Sequence, residues 1–279
     1  MSLQLPLDAH MGAATFKVAH LARASTFYGD VLGFTLTHSP GMIHVAPALG
    51  AAPILHLREV PGAVRKPERS IGLYHVAILL SSRAALGNTI QRLMQSGYPV
   101  QGASDHLVSE ALYLADPDGN GLEIYRDRPR DEWAVDKDGV AMATQPMDID
   151  GVLAAADGTA VAGIDPLATI GHVHLHVRDL ATAEKFYVEL LGFDVMQRSY
   201  PGALFVAAGG YHHHLGLNVW GGKLSPPPNA VGLESFTVVI PGGMEAVAGR
   251  LAASGMTVER ADGTVSVRDM DGNTVLLVG

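Results

Sequence analysis

Three histidines alternate with apolar residues in the segment His-Val-His-Leu-His-Val at 172–177. Side chains at every second position of a strand share one face, so His172, His174 and His176 would lie side by side. Such a face fits either a solvated outer strand or the wall of a polar cavity. Imidazole titrates near neutral pH and is a common metal ligand, so a cavity wall of this kind could support metal or proton-transfer chemistry.

An internal repeat indicates how this strand is positioned. The phrase Phe-Tyr-x-x-x-Leu-Gly-Phe occurs at 27–34 and at 186–193, and an Asp-x-Asp-Gly-Asn turn occurs at 116–120 and at 269–273. Repeats of this length should be interpreted first because they determine architecture. Four units begin near Ala14, Leu73, His172 and Glu234. Each is predicted to be a strand, an amphipathic helix and three short strands, with helices near 83–95, 181–190 and 244–253 and a first helix starting near Leu21.

Composition narrows the class of protein. The 279 residues are 48% hydrophobic, which is enough for two sizeable cores or one divided core. There is no cysteine, so thiolate metal ligands and disulfides are excluded. The formal net charge of −9 argues against nucleic acid as a partner. No apolar run is long enough to span a membrane and no signal segment is evident, so we predict a cytoplasmic protein without a membrane partner.

Weak periodicity and many Asp, Ala, Gly and Pro residues mark a connection near 127–169. We therefore predict an N-terminal domain at 1–126 holding units one and two, a linker at 127–168 that includes one helix near 147–155, and a C-terminal domain at 169–279 holding units three and four. A second, shorter linker is predicted at 220–228.

Four βαβββ units, with Leu-Gly-Phe after the helix and Asp-Pro-Asp-Gly-Asn before a last strand, resemble the vicinal oxygen chelate superfamily. This superfamily includes glyoxalases, bleomycin-resistance proteins and extradiol ring-cleaving dioxygenases. The resemblance covers nearly the whole chain outside the linkers. It implies an α+β fold in which four βαβββ modules pair into two half-barrel cups. It also implies that metal ligands come from the first and last strands of paired modules.

The repeats identify candidate ligands. The first-strand position is Ala13, His75, His172 and Ser235 in units one to four, and the last-strand position is Glu123 in unit two and Leu276 in unit four. We predict a metal site of His75, His172 and Glu123. Two histidines and one carboxylate on one side of a metal suit non-heme Fe(II), with Mn(II) as an alternative. Taken alone, Glu123 could be a solvated strand-end carboxylate.

Three further residues resemble the catalytic set of the extradiol dioxygenases. Tyr113 lies ten residues before Glu123, on the preceding strand, with leucines facing the other way. The histidine run at 212–214 resembles the family's His-His-x-Leu segment, which assigns the acid/base role to His214. His106 resembles a further family histidine, although its spacing to Tyr113 differs slightly. A structural tyrosine, a surface histidine loop and a turn histidine are the alternative interpretations.

The sequence leaves two arrangements of the modules around the metal. Bringing His172 to His75 and Glu123 requires units two and three to pair, with units one and four forming the other pair. If units one and two pair instead, His56 could join His75 and Glu123. We favour His172, because it reproduces a histidine on each of two first strands.

The resemblance is greatest to four-module bacterial catechol 2,3-dioxygenases. It implies an Fe(II)-dependent enzyme whose substrates are a small aromatic diol and O2, and we predict that the enzyme is a homo-oligomer. Histidine suits the transfer of the diol's protons. The alternatives are a glyoxalase-like isomerase or hydroquinone dioxygenase on the same site, and a metal-free protein that binds aromatic compounds.

Overall fold

The computed structural model describes residues 4–137, 139–158 and 163–279, and these form four βαβββ modules. Residues 1–3, 138 and 159–162, which fall in the predicted N-terminal domain and linker, lie outside the described residues. Module 1 contains β1 (His10–Val18), α1 (Leu21–Ser25), β2 (Thr35–Ser39), β3 (Met42–Ala46) and β4 (Leu55–Glu59). Module 2 contains β5 (Gly72–Leu80), α2 (Arg83–Ser96), β6 (Gly102–Asp105), β7 (Ser109–Ala115) and β8 (Gly121–Asp127).

The second half of the chain repeats this order after a structured connection. The connection contains a 3-10 turn (Arg130–Glu132), β9 (Val135–Asp136), β10 (Gly139–Val140) and α3 (Ile149–Ala154). Module 3 contains β11 (Thr169–His176), α4 (Leu180–Glu184), β12 (Asp194–Gln197), β13 (Ala203–Ala207) and β14 (Leu215–Asn218). Module 4 contains β15 (Gly232–Val239), α5 (Met244–Ala253), β16 (Val258–Ala261), β17 (Thr264–Arg268) and β18 (Thr274–Val278).

The helices of modules 2 and 4 follow their predicted positions. Helix α2 begins where the Ser82 hydroxyl accepts a hydrogen bond from the Ala85 N–H, and it ends at Gly97, whose φ of 66° is readily adopted by glycine. The helices of modules 1 and 3 also lie where they were predicted, but α1 and α4 continue as π-helical turns over Thr26–Val31 and Lys185–Leu191. A π-helical turn holds more residues than an α-helical turn, so successive side chains point in more similar directions. The adjacent aromatic residues Phe27 and Tyr28, and likewise Phe186 and Tyr187, are therefore both buried.

The strands form two open sheets, each built from one module of either half of the chain. The first sheet has the order β16-β17-β18-β15-β1-β4-β3-β2 and therefore joins modules 4 and 1. The second has the order β6-β7-β8-β5-β11-β14-β13-β12-β10-β9 and joins modules 2 and 3 through antiparallel pairing of β5 with β11. The α+β fold and the pairing that the His172 assignment required are thus found.

One hydrophobic core unites the sheets, since buried residues of β1, β5, β11 and β15 belong to the same cluster. Hydrogen bonds between the two repeated sequence motifs also connect the modules. The Tyr28 hydroxyl of module 1 donates to Asp116 of module 2 at 3.2 Å, and the Tyr187 hydroxyl of module 3 donates to Asp269 of module 4 at 2.8 Å. The domain boundaries at 1–126, 127–168 and 169–279 stay a prediction about folding units.

Part of the connection lies against the second sheet. We call residues 139–147 the strap. Strand β10 pairs with β12 of module 3, whereas further along the strap the Gln145 and Asp105 backbones exchange hydrogen bonds of 2.8 and 2.9 Å. The strap therefore bridges modules 2 and 3. Across the described ranges, no helix is long and apolar enough to cross a membrane.

Candidate metal centre and surrounding cavity

A cavity of about 330 Å³ is lined by residues of modules 2 and 3 and of the strap. Cross-strand register explains why polar side chains meet there. One row of neighbouring positions runs Tyr113, Glu123, Ala77, His172 across β7, β8, β5 and β11. The side chains of such a row share a face, and the small Ala77 leaves space between the carboxylate and the imidazole.

A second row of paired positions crosses the same sheet two residues away along β5 and β11. His75 pairs with His174, which pairs with Gly216 of β14. A Cβ at Gly216 would lie 2.7 Å from the His174 ring, so this imidazole rests on a position that only glycine fits. The opposite side of these strands, including Val76 and Val173, belongs to the hydrophobic core. The polar face is therefore fixed by the burial of the apolar face.

The predicted metal ligands converge. His75 Nε2 lies 3.0 Å and His172 Nε2 lies 3.3 Å from the same Glu123 oxygen, Oε2. All three side chains are buried, and one ligand atom of each lies within 4.8 Å of the others. His75 Nε2 is buried without a hydrogen-bond partner in the described part of the chain. A buried nitrogen aimed at a carboxylate but not hydrogen-bonded to it fits shared coordination of a metal ion.

The electrostatics keep these ligands free of competing protons. Burial lowers the pKa of His172 to about 4. Burial alone would raise the pKa of Glu123, but the His172 and His75 imidazoles hold that pKa well below its usual range. At neutral pH His172 is therefore a neutral imidazole and Glu123 a carboxylate, the protonation states in which these side chains coordinate metals.

Tyr113 and His106 form a pair at the cavity. The Tyr113 hydroxyl lies 2.6 Å from His106 Nε2, and His106 Nδ1 lies 2.7 Å from the Ala143 carbonyl of the strap. A carbonyl only accepts, so Nδ1 carries the hydrogen and a neutral His106 accepts from Tyr113 at Nε2. Burial, together with the charge of Glu123, raises the pKa of Tyr113 well above its usual value, so the hydroxyl keeps its proton.

In the histidine run at 212–214, the residue that faces the cavity is one position earlier than the predicted His214. His213 lines the cavity, with its ring centroid 4.1 Å from that of His172. His214 does not line it: its Nδ1 accepts from the Ala208 N–H at 3.1 Å, and its ring packs on Tyr211. The sequence carried a usable signal, because His-His-x-Leu matched onto Leu215 makes His213, not His214, the second histidine.

A hydrogen-bonded chain runs from His213 toward the exterior. His212 Nδ1 lies 2.7 Å from His213 Nδ1, and His212 Nε2 lies 2.8 Å from the Asp127 carboxylate. His212 therefore donates to Asp127 and accepts from the Nδ1 hydrogen of His213, which leaves a lone pair on His213 Nε2. Asp127 is partly exposed, whereas the His212 side chain is fully buried.

The remaining histidines have supporting positions. His174 lines the cavity, and its Nε2 accepts from the Asn218 amide at 2.9 Å. His176 lies further out, with Nδ1 2.6 Å from the Asn218 oxygen. His56 of module 1 lies 2.8 Å from His44, with both in the first sheet, so the alternative trio with His56 does not form. In the described ranges no second His, Asp and Glu group meets the metal-site spacing.

Sequence reasoning missed the outer part of the cavity. Its wall includes four aromatic residues and three strap residues, which are Tyr74, Tyr200, Phe205, Trp220, Met142, Ala143 and Thr144. Nothing in the sequence marks the strap as a wall, because its placement depends on pairing with two distant strands.

Residues 10–124 and 169–277 match the family described as the Glyoxalase/Bleomycin resistance protein/Dioxygenase superfamily. The chain belongs to this superfamily. It is 44% identical over 270 residues, 94% of each chain, to a protein of Bacillus subtilis (strain 168) named catechol-2,3-dioxygenase.

Solved structures show the same fold at low sequence identity. A crystallised Bacillus subtilis protein matches with a TM-score of 0.68 and 13% identity, covering 99% of this chain and 86% of the other. Glyoxalase I from Zea mays matches with a TM-score of 0.58 and 17% identity, covering 97% and 92%. These similarities concern the fold alone.

Proposed function

We propose that this protein is a non-heme Fe(II)-dependent extradiol dioxygenase that cleaves the ring of a catechol with O2. The observation that carries the proposal is the buried trio of His75, His172 and Glu123 at the base of an open cavity. The name of the Bacillus relative supports the same activity. Two histidines and one carboxylate are the donor set suited to Fe(II) with open positions, and Mn(II) is the alternative metal.

When bound, the iron would supply the chelating centre for two diol oxygens and the redox chemistry that ring cleavage by dioxygen needs. The chain itself handles the protons. The lone pair on His213 Nε2 can accept a diol proton, and the Nδ1 hydrogen can be drawn toward His212, whose ring is oriented by Asp127. His213 thus takes the acid/base role that the sequence assigned to His214.

The Tyr113 and His106 pair would serve the substrate oxygen. Tyr113 stays protonated and His106 Nε2 is an acceptor, so a hydroxyl entering between them can accept from the first and donate to the second. A developing oxyanion there would be stabilised by the tyrosine donor. The Ala143 carbonyl keeps the His106 tautomer that this requires.

One observation disfavours the glyoxalase-like alternative. Such isomerases usually have a fourth protein ligand, and in module 3 the position equivalent to Glu123 by strand pairing is Gly216. We also predict that the protein is cytoplasmic and homo-oligomeric and that it has no nucleic-acid partner.

The test is metal analysis and turnover on the same preparations. Protein loaded anaerobically with Fe(II) should bind about one iron and convert catechol with O2 to a yellow ring-opened product. His172→Ala, His75→Ala and Glu123→Ala should each lose iron and activity, because each removes a third of the protein ligands. His56→Ala is the matched control, and its iron content and turnover should equal those of the parent. Full iron in His172→Ala, or a loaded protein that leaves catechol intact, would contradict the proposal.

A further inference from the structure

We infer that the substrate is an uncharged catechol carrying an apolar substituent, and that the site rejects catechols bearing a carboxylate. This inference deepens the proposed function and rests on it. Two independent features carry it: the aromatic outer wall of the cavity and the absence of a cationic side chain among the described lining residues.

The aromatic wall extends outward from the metal ligands. His174, beside His75, lies 5.7 Å from Trp220 between ring centroids, and Trp220 lies 6.1 Å from both Tyr74 and Tyr200. Trp220 is 47% exposed and Tyr74 is 41% exposed, so this group forms the mouth of the cavity. An apolar group on the diol ring, pointing away from the ligands, would cover these rings and remove apolar surface from water.

The strap completes this outer region. The Thr144 hydroxyl lies 3.0 Å from the Tyr200 hydroxyl, so the strap and the aromatic wall are joined by a neutral hydrogen bond. Met142 adds a flexible apolar side chain to the same lining. The Thr144 and Tyr200 hydroxyls at the mouth are therefore neutral and already paired with each other.

The charges of the metal, its ligands and the diol sum to zero when the diol carries no charged substituent. A metal dication, the Glu123 carboxylate and a singly ionised diol sum to zero. None of the described lining residues is Lys or Arg. A carboxylate on the substrate would thus remain without a counter-charge in a protein whose formal net charge is −9.

Nearby cations are engaged elsewhere. Lys66 donates to the Leu73 carbonyl at 2.6 Å, and burial lowers its pKa to about 8. Arg128 pairs with Asp105 at 2.5 Å and lies 3.6 Å from Glu110. Neither belongs to the cavity lining.

The experiment compares three diols of matched shape: dihydroxyphenylpropionate, its neutral amide, and a catechol with a branched alkyl chain of the same size. Their dissociation constants would be measured by anaerobic calorimetry on the Fe(II)-loaded protein, beside kcat/KM in air. We expect the carboxylate to bind about 100-fold more weakly than the alkyl compound, with the amide between them. Equal affinity for the carboxylate and the alkyl compound would overturn the inference.

A variant tests whether charge is the cause. Thr144 is exposed at the mouth, so Thr144→Arg can place a guanidinium there, and Thr144→Gln is a neutral control of similar bulk. Thr144→Arg should improve binding of the carboxylate relative to the alkyl compound by about tenfold, whereas Thr144→Gln should not. If no diol binds to any form, the proposed function fails as well. If the three diols bind with equal affinity, the inference about the substituent is wrong and the proposed function still stands.

Discussion

At the residue scale, the chemistry depends on which imidazoles face the cavity. His213 and His214 are adjacent, yet one lies against His172 and the other is buried against Tyr211 with its Nδ1 bonded to the Ala208 N–H. Adjacent residues ahead of a strand can point to opposite sides, so a shift of one position exchanges a catalytic candidate for a packing residue.

The first prediction compares these two histidines. His213→Phe should retain iron and slow the chemical step by about 10²–10⁴-fold, because it removes a general acid/base. His214→Phe should leave turnover nearly unchanged and lower stability by about 1–3 kcal/mol, because the buried Ala208 N–H loses its acceptor. Iron content, single-turnover rates and melting temperatures of both variants would be measured together. The reverse pattern of rates would return the acid/base role to His214.

The second prediction concerns pH and stability. Burial lowers the pKa of His214 to about 3, below the roughly 6.5 of an unfolded chain. The unfolded state therefore binds a proton that the folded state excludes, and stability is lost as pH falls below about 6.5. In urea titrations of metal-free protein between about pH 6 and pH 4, His214→Gln should reduce the slope of unfolding free energy against pH by roughly 1.4 kcal/mol per unit. An unchanged slope would contradict the burial of a neutral His214.

At the scale of elements, the strap converts a connection into part of the site. It is held to module 3 by the Gln197 amide, which donates to the Val140 carbonyl at 3.1 Å, and to module 2 by the His106 and Ala143 contact at 2.7 Å. Gln197 is itself oriented by the Ser199 N–H and hydroxyl, which donate to its oxygen at 2.7 and 2.8 Å. Loosening the strap should therefore affect the cavity wall without altering the predicted metal ligands.

The third prediction tests this element. Gln197→Ala leaves the buried Val140 carbonyl without its donor, so we expect a loss of about 1–3 kcal/mol of stability and faster amide exchange over 139–147. Iron content should not change. Arg198→Ala is the control, since its pair with Glu184 is exposed and contributes about 1 kcal/mol or less. Equal exchange rates in the parent and Gln197→Ala would show that the strap does not depend on this bond.

At the scale of the whole molecule, the two halves of the chain are interleaved. Each sheet takes one module from each half, and both sheets pack into one core. The Tyr28 and Asp116 contact lies within the first half, and the Tyr187 and Asp269 contact lies within the second. Because neither half has a complete sheet of its own, unfolding should be cooperative across both.

The fourth prediction uses these two contacts. Tyr28→Phe and Tyr187→Phe each remove a donor to a buried aspartate, so each should lower stability by about 1.5–3 kcal/mol. The double variant should show the sum, because the contacts share no partner. Calorimetry should give one transition that moves with either change. Two transitions, each shifted by one variant only, would support independent domains at 1–126 and 169–279 instead.

The sequence alone determined the modules and the strand face of His172, because repeats and strand alternation are local properties of the chain. With the family resemblance, it also predicted the ligand positions His75 and Glu123. It also placed α2 and α5 closely, since caps and apolar periodicity are local as well. Only the tertiary structure decided that modules 2 and 3 share a sheet, that His213 rather than His214 reaches the cavity, and that the strap forms a wall. These features depend on hydrogen bonding and packing between residues far apart in the chain, and spacing along the sequence does not encode such contacts.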